Sequence, residues 1–180
     1  MSKIYQPAED SYLISEILKK EIPKLLEKNS ELKVLEIGAG SGIHLQTIFN
    51  LGIKKENIFS SDIDDKAVAH CNSLGFNCIH SDLFENISGK FHLIIFNPPY
   101  LPKDVREPCD SQTATTGGKN GCEIINRFLQ QAKNHLTSKG KIFLITSSLT
   151  KGINWLDWNK KQIGCEKLFF EELCVWEITS

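Results

Sequence analysis

Four consecutive residues, Asn97-Pro98-Pro99-Tyr100, combine two hydrogen-bond acceptors with a flat aromatic ring. The prolines stop a strand and stiffen the loop after it, since neither ring nitrogen carries a proton for a ladder. The Asn97 side-chain carbonyl accepts one hydrogen bond and the Pro98 carbonyl a second. Both can point at a single planar NH2 group, with Tyr100 covering the face of the group that bears it. Such a cradle aims a conjugated, poorly nucleophilic nitrogen by positioning and electrostatics, with no strong base needed beforehand. Taken alone, an Asn-Pro dipeptide reads better as an ordinary strand-end turn.

The upstream residues favour chemistry. Glu36-Ile37-Gly38-Ala39-Gly40-Ser41-Gly42 follows the apolar run 33–37 directly. Glycines there permit a tight turn and close approach of the backbone to a ligand. Ligands of open α/β sheets bind beyond the carboxyl ends of the strands, which is where this loop falls. The dinucleotide fingerprint G-x-G-x-x-G requires a small residue at position 43, where Ile43 stands. Asp62 ends the next apolar run, about twenty residues on, where a carboxylate can take ribose hydroxyls. Asp64 and Asp65 read as a helix start. No complementary ligands accompany them, so no metal site is expected.

The elements that must position these residues alternate. The spacing of Leu13, Ile14, Ile17, Leu18, Leu25 and Leu26 predicts a helix over 9–27, kinked or interrupted at Pro23. Strands are predicted over 33–37, 57–63, 76–80, 91–96 and 141–146. Helices are predicted over 43–50, 65–74, 121–136 and near 149–162. Residues 165–170 and 173–179 are two strands with a connection too short for a helical crossover, hence an antiparallel hairpin. The whole is an α/β three-layer sandwich with a seven-stranded, mostly parallel sheet and a C-terminal antiparallel hairpin. The polar stretch 97–120 is long for a connection, which suggests a mobile loop on the substrate side. Within it, Lys103 and Arg106 could meet acidic or phosphate groups, or could simply be solvated.

At 180 residues, with 41% hydrophobic and 24% charged, the chain suits one folded domain over 1–180. A formal charge of −1 offers no general grip on nucleic acid or anionic membrane. The apolar runs are strand-sized and the N-terminus lacks a signal core, so a soluble cytoplasmic protein is expected. Cys71, Cys78, Cys109, Cys122, Cys165 and Cys174 include no Cys-x-x-Cys pair, so no zinc site is expected. Their thiols are expected to stay free, partly packed in the core.

The G-x-G-x-G loop with its later acid is similar to motifs I and II of class I S-adenosylmethionine (SAM) methyltransferases. Asn97-Pro98-Pro99-Tyr100 resembles the N/DPPY motif of amino-methyltransferases that modify adenine, cytosine or protein glutamine nitrogens. Near the start, Tyr5-Gln6-Pro7-Ala8-Glu9-Asp10-Ser11 resembles the Y-x-P-A-E-D-[ST] segment of HemK-like glutamine methyltransferases of archaea and eukaryotes, relatives of bacterial HemK/PrmC. Leu35-Glu36-Ile37-Gly38, Asp62-Ile63, Ser81-Asp82-Leu83, Gly117-Gly118-Lys119-Asn120-Gly121 and the LFFEEL segment at 168–173 match as well, in order.

The resemblance implies a Rossmann-like fold and methyl transfer from SAM, leaving S-adenosylhomocysteine. The implied acceptor is the glutamine of a Gly-Gly-Gln motif in a class I release factor. It implies a cofactor site of Ser11, Glu36, Gly38, Gly40, Gly42, Asp62, Asp82, Leu83 and Asn97, with Asp82 facing the adenine and the segment 1–30 capping the site. It implies a substrate site of Asn97, Pro98, Pro99 and Tyr100, with Asn97, Pro98 and Tyr100 catalytic. Ser11 and Asp10 as helix-start residues, and Asp82 as a turn residue, are the plain alternatives. With four residues ahead of Tyr5, no separate release-factor-binding domain is expected. A small zinc-ribbon activator protein is implied along the edge strand from Phe76 to His80, which would also cover an aggregation-prone edge. Nucleic acid is not expected as the direct substrate. An adenine-N6 DNA or RNA methyltransferase, a lysine methyltransferase and a non-catalytic SAM-binding scaffold are the competing readings.

Overall fold

A computed structural model describes residues 5–103 and 115–180. Arg106 and Cys109 lie outside the described residues. The elements run α1 (Glu9–Lys28), β1 (Val34–Ile37), α2 (Ile43–Asn50), β2 (Ile58–Asp62), α3 (Asp65–Ser73), β3 (Asn77–His80), β4 (Phe91–Phe96), α4 (Glu123–Ala132), β5 (Leu136–Ser147), β6 (Asn159–Lys167) and β7 (Glu172–Thr179). The seven strands form one sheet in the order β3-β2-β1-β4-β5-β7-β6. Strands β1 to β5 pair in parallel, and β7 is antiparallel to both β5 and β6. The chain reverses its direction of travel across the sheet between β3 and β4. The site residues therefore gather at the carboxyl ends of β1, β2 and β4, at the switch point.

Alternation along β4 shows how both faces are buried. Leu93 and Ile95 face a cluster with Ile14 and Leu18 of α1, Leu45 and Ile48 of α2, and Cys71 of α3. Ile94 and Phe96 face Ile125, Phe128 and Leu129 of α4, joined by Phe84 and Trp158. A strand covered on both faces must be apolar throughout, as FHLIIF is. Among the described residues no helix is long and apolar enough to cross a membrane.

Four expectations are corrected. The helix α1 runs through Pro23 without interruption. Pro23 and Lys19 lie on the exposed face, where water can satisfy the carbonyl that proline leaves unpaired. The helix expected over 121–136 ends at Ala132, and β5 starts at Leu136 after a short 3-10 turn. No helix forms over 149–162. Gly152 and Leu156 take positive φ (82° and 50°), and β6 begins at Asn159. Asparagine side chains capture the local N–H groups there: Asn126 takes that of Asn154 (2.8 Å) and Asn154 that of Leu156 (3.1 Å). The buried Trp158 indole donates to the Leu129 carbonyl at 3.1 Å and locks the segment against α4.

The last correction concerns the thiols. Cys165 and Cys174 oppose each other across β6 and β7, with Cα atoms 4.2 Å apart, and are joined in a disulfide. Pairing of this kind depends on register, which a strand expected to start at 165 does not reveal. Cys71, Cys78 and Cys122 are free and buried.

Candidate active site

The glycine loop is built around Asp62. Gly38 and Gly40 adopt φ of 70° and 50°, a region other residues enter only under strain. The N–H groups of Gly38 and Ala39 donate to the Ser61 carbonyl at 2.8 and 3.0 Å. Asp62 Oδ2 accepts the Gly40 N–H at 2.8 Å, and Oδ1 accepts that of Asp64 at 2.9 Å. Burial lifts the Asp62 carboxyl above the usual range, and these N–H groups oppose the lift. Asp64 caps α3 through the Lys66 N–H, and Asp65 pairs with His80 at 2.8 Å. Gly42 precedes α2 in the left-handed region; a Cβ there would meet Leu74 at 3.2 Å.

A cavity of about 300 Å³ opens over this loop. Its lining includes Ser11, Glu36, Gly38, Gly40, Asp62, Asp82, Leu83, Asn97, Pro98 and Pro99, and it excludes Gly42 and Tyr100. Asp82 Oδ2 accepts from Arg127 at 2.9 Å, which sets its carboxylate. Leu83 sits at φ 51°, an uncommon conformation for a leucine, with its carbonyl accepting from the Ser81 hydroxyl at 3.0 Å.

Glu36 ends up almost fully buried, facing His44 across 2.6 Å. The other His44 nitrogen lies 3.1 Å from the Ser11 carbonyl. A carbonyl only accepts, so Nε2 bears a proton, and a second proton lies on the line from Nδ1 to Glu36. Burial pushes Glu36 up and, by itself, would push His44 down; the Glu36 carboxylate, the Ser11 carbonyl and the Asp10 charge together outweigh it and His44 ends up raised. Glu36 Oε2 is buried without a partner on the cavity wall.

Asn97 is oriented from α1. Its Nδ2 donates to Asp10 Oδ2 at 3.0 Å, so the amide cannot flip without losing that bond. Its Oδ1 is consequently the buried acceptor left without a partner. Asp10, 4% exposed, also accepts from the hydroxyls of Tyr100 (3.2 Å) and Tyr5 (3.1 Å) and from the Ser11 N–H (2.6 Å). Burial, then the Asp10 charge, raises both phenols, which keeps them donors. Tyr100 lines a second cavity of about 190 Å³, with Leu101, Leu168 and Glu171. Tyr5 and Asp10 border both cavities, so Asp10, Asn97 and Tyr100 form the wall between them.

The segment 115–121 braces that wall. Leu101 N–H donates to the Thr115 carbonyl and Gly117 N–H to the Leu101 carbonyl, each at 2.9 Å. A Cβ at Gly117 would stand 2.4 Å from the Pro99 carbonyl and 2.3 Å from that of Gly121. The Thr150 hydroxyl holds the Tyr100 carbonyl at 2.8 Å. The two ends of the stretch 97–120 are therefore tied to each other; Lys103 joins them through its N–H to the Gly118 carbonyl at 2.9 Å.

Sequence reasoning passed over Asp10 as a site residue and did not notice His44. The only signal for Asp10 was its place in the P-A-E-D segment. For His44 it was a lone histidine at the second position of the helix after a glycine loop.

The chemistry available is a cofactor-sized cavity with one unpaired carboxylate oxygen, joined at a rigid wall to an unpaired amide acceptor. Residues 15–159 match the methyltransferase small domain family. The chain belongs to that family. It is a SAM-dependent methyltransferase, as the resemblance implied. A putative protein N5-glutamine methyltransferase of Methanocaldococcus jannaschii is 40% identical over 157 residues, 82% of this chain and 74% of the relative. The eRF1 methyltransferase catalytic subunit of Schizosaccharomyces pombe is 27% identical over 173 residues, 82% of this chain and 74% of that one. A 16S rRNA N2 G1207 methyltransferase of T. thermophilus, solved with AdoMet and guanosine, superimposes with a TM-score of 0.61 at 15% identity. The overlap covers 100% of this chain and 45% of that one, and it shows the shared fold.

Proposed function

We propose that this methyltransferase acts on the side-chain amide nitrogen of a glutamine, and that the glutamine belongs to the Gly-Gly-Gln motif of a class I translation release factor. The observation that carries the chemistry is Asn97 Oδ1, a buried acceptor with no partner in the protein, held in that orientation by Asp10. A buried acceptor is costly to leave unsatisfied, and a substrate NH2 is the donor that would satisfy it. The names of the M. jannaschii and S. pombe relatives supply the acceptor class.

SAM brings a methyl group on a positively charged sulfur, which reacts with a weak nucleophile if the two are aligned. Ser11, Glu36, Gly38, Gly40, Asp62, Asp82 and Leu83 would hold it in the larger cavity. The unpaired Glu36 Oε2 fits a donor or cation there. Gly42 contributes by letting α2 pack closely behind the loop. Asn97 Oδ1 and the Pro98 carbonyl accept from the glutamine NH2 and direct its lone pair into that cavity. Pro99 stiffens the loop, and Tyr100 bounds the glutamine from the second cavity. The nitrogen gains a carbon and loses a proton to solvent, and the methyl–sulfur bond breaks. The segment 1–30 acts as a cap that supplies Asp10 and Ser11 to a single domain.

A small zinc-ribbon activator would pair with the free edge of β3, where Asn77, Ile79 and His80 are exposed. Incubation of the protein with labelled SAM and a release factor tests the reading. Label should enter the natural factor and should be absent when its Gly-Gly-Gln glutamine is replaced by leucine. Equal labelling of both factors would refute the glutamine assignment.

A further inference from the structure

Phe169 and Phe170 stand fully in solvent, at 101% and 93% exposure, on the turn joining β6 to β7. Large apolar side chains placed together in water mark a contact surface. These two are also rigidly presented. The turn is closed by the Leu168 N–H to the Glu171 carbonyl at 2.8 Å, and the Cys165–Cys174 disulfide braces the strands behind it. The Ser147 hydroxyl binds Glu171, and the Ser148 N–H donates to the Glu172 carbonyl at 2.8 Å, so the tip is moored to the end of β5. Ordering such a tip costs little at the moment of binding.

The residues flanking the pair settle its direction. Leu168 and Glu171 line the second cavity together with Tyr100 and Asp10. A polypeptide resting on the tip therefore continues into that cavity and reaches the Asn97–Tyr100 wall. Glu9, Asp10 and Glu171 line the cavity with no Lys, Arg or His among its described lining residues, and Glu172 is exposed beside it. The complementary partner is an apolar patch flanked by basic residues.

We infer that Phe169 and Phe170 are the apolar anchor for the protein substrate, seating its surface beside the target glutamine. The inference rests on the proposed release-factor reading and adds the docking surface to it. A second copy of this chain is the competing occupant.

The test is the Phe169→Ala/Phe170→Ala double variant, assayed beside wild type with a release factor, its activator and SAM. Both residues are solvent-exposed, so the variant should fold and bind SAM with a Kd within about twofold of wild type. The expected result is a KM for the release factor raised about tenfold or more, with kcat at saturation within about twofold. An unchanged KM, with wild type active, would overturn the anchor and leave the release-factor reading standing. A wild-type dimer that the double variant dissolves would assign the tip to self-association and overturn the anchor. No methylation of the release factor by wild type would overturn the release-factor reading, and the anchor with it.

Discussion

The Asn97 side chain donates through Nδ2 to Oδ2 of Asp10 at 3.0 Å, across 87 residues of chain. That one bond decides which end of the amide faces the cavity. Asparagine oxygen and nitrogen are nearly the same size, so packing alone would not choose. Oδ2 of Asp10 accepts this bond, which places the amide nitrogen toward α1 and leaves the oxygen for a substrate donor.

Removing Asp10 should therefore damage catalysis while sparing the cofactor site. For Asp10→Ala, kcat should fall about 100-fold through misorientation of Asn97, with the SAM Kd within about threefold. Steady-state kinetics with calorimetric SAM titration checks this. A weakened SAM site with kcat intact would show that Asp10 serves the cofactor.

Asn97→Ala removes the acceptor itself. Its kcat should fall about 100- to 1,000-fold, the size found when a positioned hydrogen-bonding group is deleted. SAM should still bind to the folded variant. An active Asn97→Ala enzyme would remove Asn97 from the chemistry.

The Glu36–His44 pair makes a stability prediction. Both side chains are at most 3% exposed, so His44→Leu leaves a buried carboxylate without its partner. Breaking such a pair costs about 3–5 kcal/mol, measurable by denaturant unfolding. Its pH dependence has a definite sign. The His44 pKa is raised in the folded state, so its contribution is complete below the unfolded value of about 6.5 and declines as pH rises through the folded value. Wild-type stability should fall across that window, and the double variant Glu36→Gln/His44→Leu should lack the decline; His44→Leu alone keeps one, because the buried Glu36 carboxyl, raised further without His44, must still ionise. A wild type that gained stability there would contradict the protonated pair.

Gly117→Ala tests the brace behind the Asn-Pro-Pro-Tyr loop. The added Cβ would collide with the carbonyls of Pro99 and Gly121. Backbone must move to admit it, at a cost of about 1–3 kcal/mol. A displaced Asn97 should also lower kcat about tenfold or more at temperatures where the variant remains folded. Unchanged stability and rate would show that the two loops do not depend on each other.

The apolar runs and glycine loop made the parallel half of the fold legible, because strands buried on both faces have few other readings. The end of the chain was harder. Leu149, Ile153 and Leu156 repeat at helical spacing, yet Gly152 and the asparagines around it divert the backbone, and β6 starts six residues before the expected strand. At the site, Asn97 and Asp62 could be named because their neighbours in sequence carry the chemistry. Asp10 could not, since what it does depends on Asn97, Tyr100 and Tyr5 converging on it in space. His44 was equally hidden: it meets Glu36 only once the glycine loop turns back from β1 into α2, and Ser11 only when α1 closes over that loop.

The most direct test of the central claim is mass spectrometry of a release factor after incubation with this protein and SAM, with and without a candidate zinc-ribbon activator. One added methyl group is expected on the glutamine side chain of the Gly-Gly-Gln peptide, absent with Asn97→Ala. A peptide left unmodified by a wild-type protein that binds SAM, or a methyl group located on a lysine or a nucleic-acid base, would contradict it.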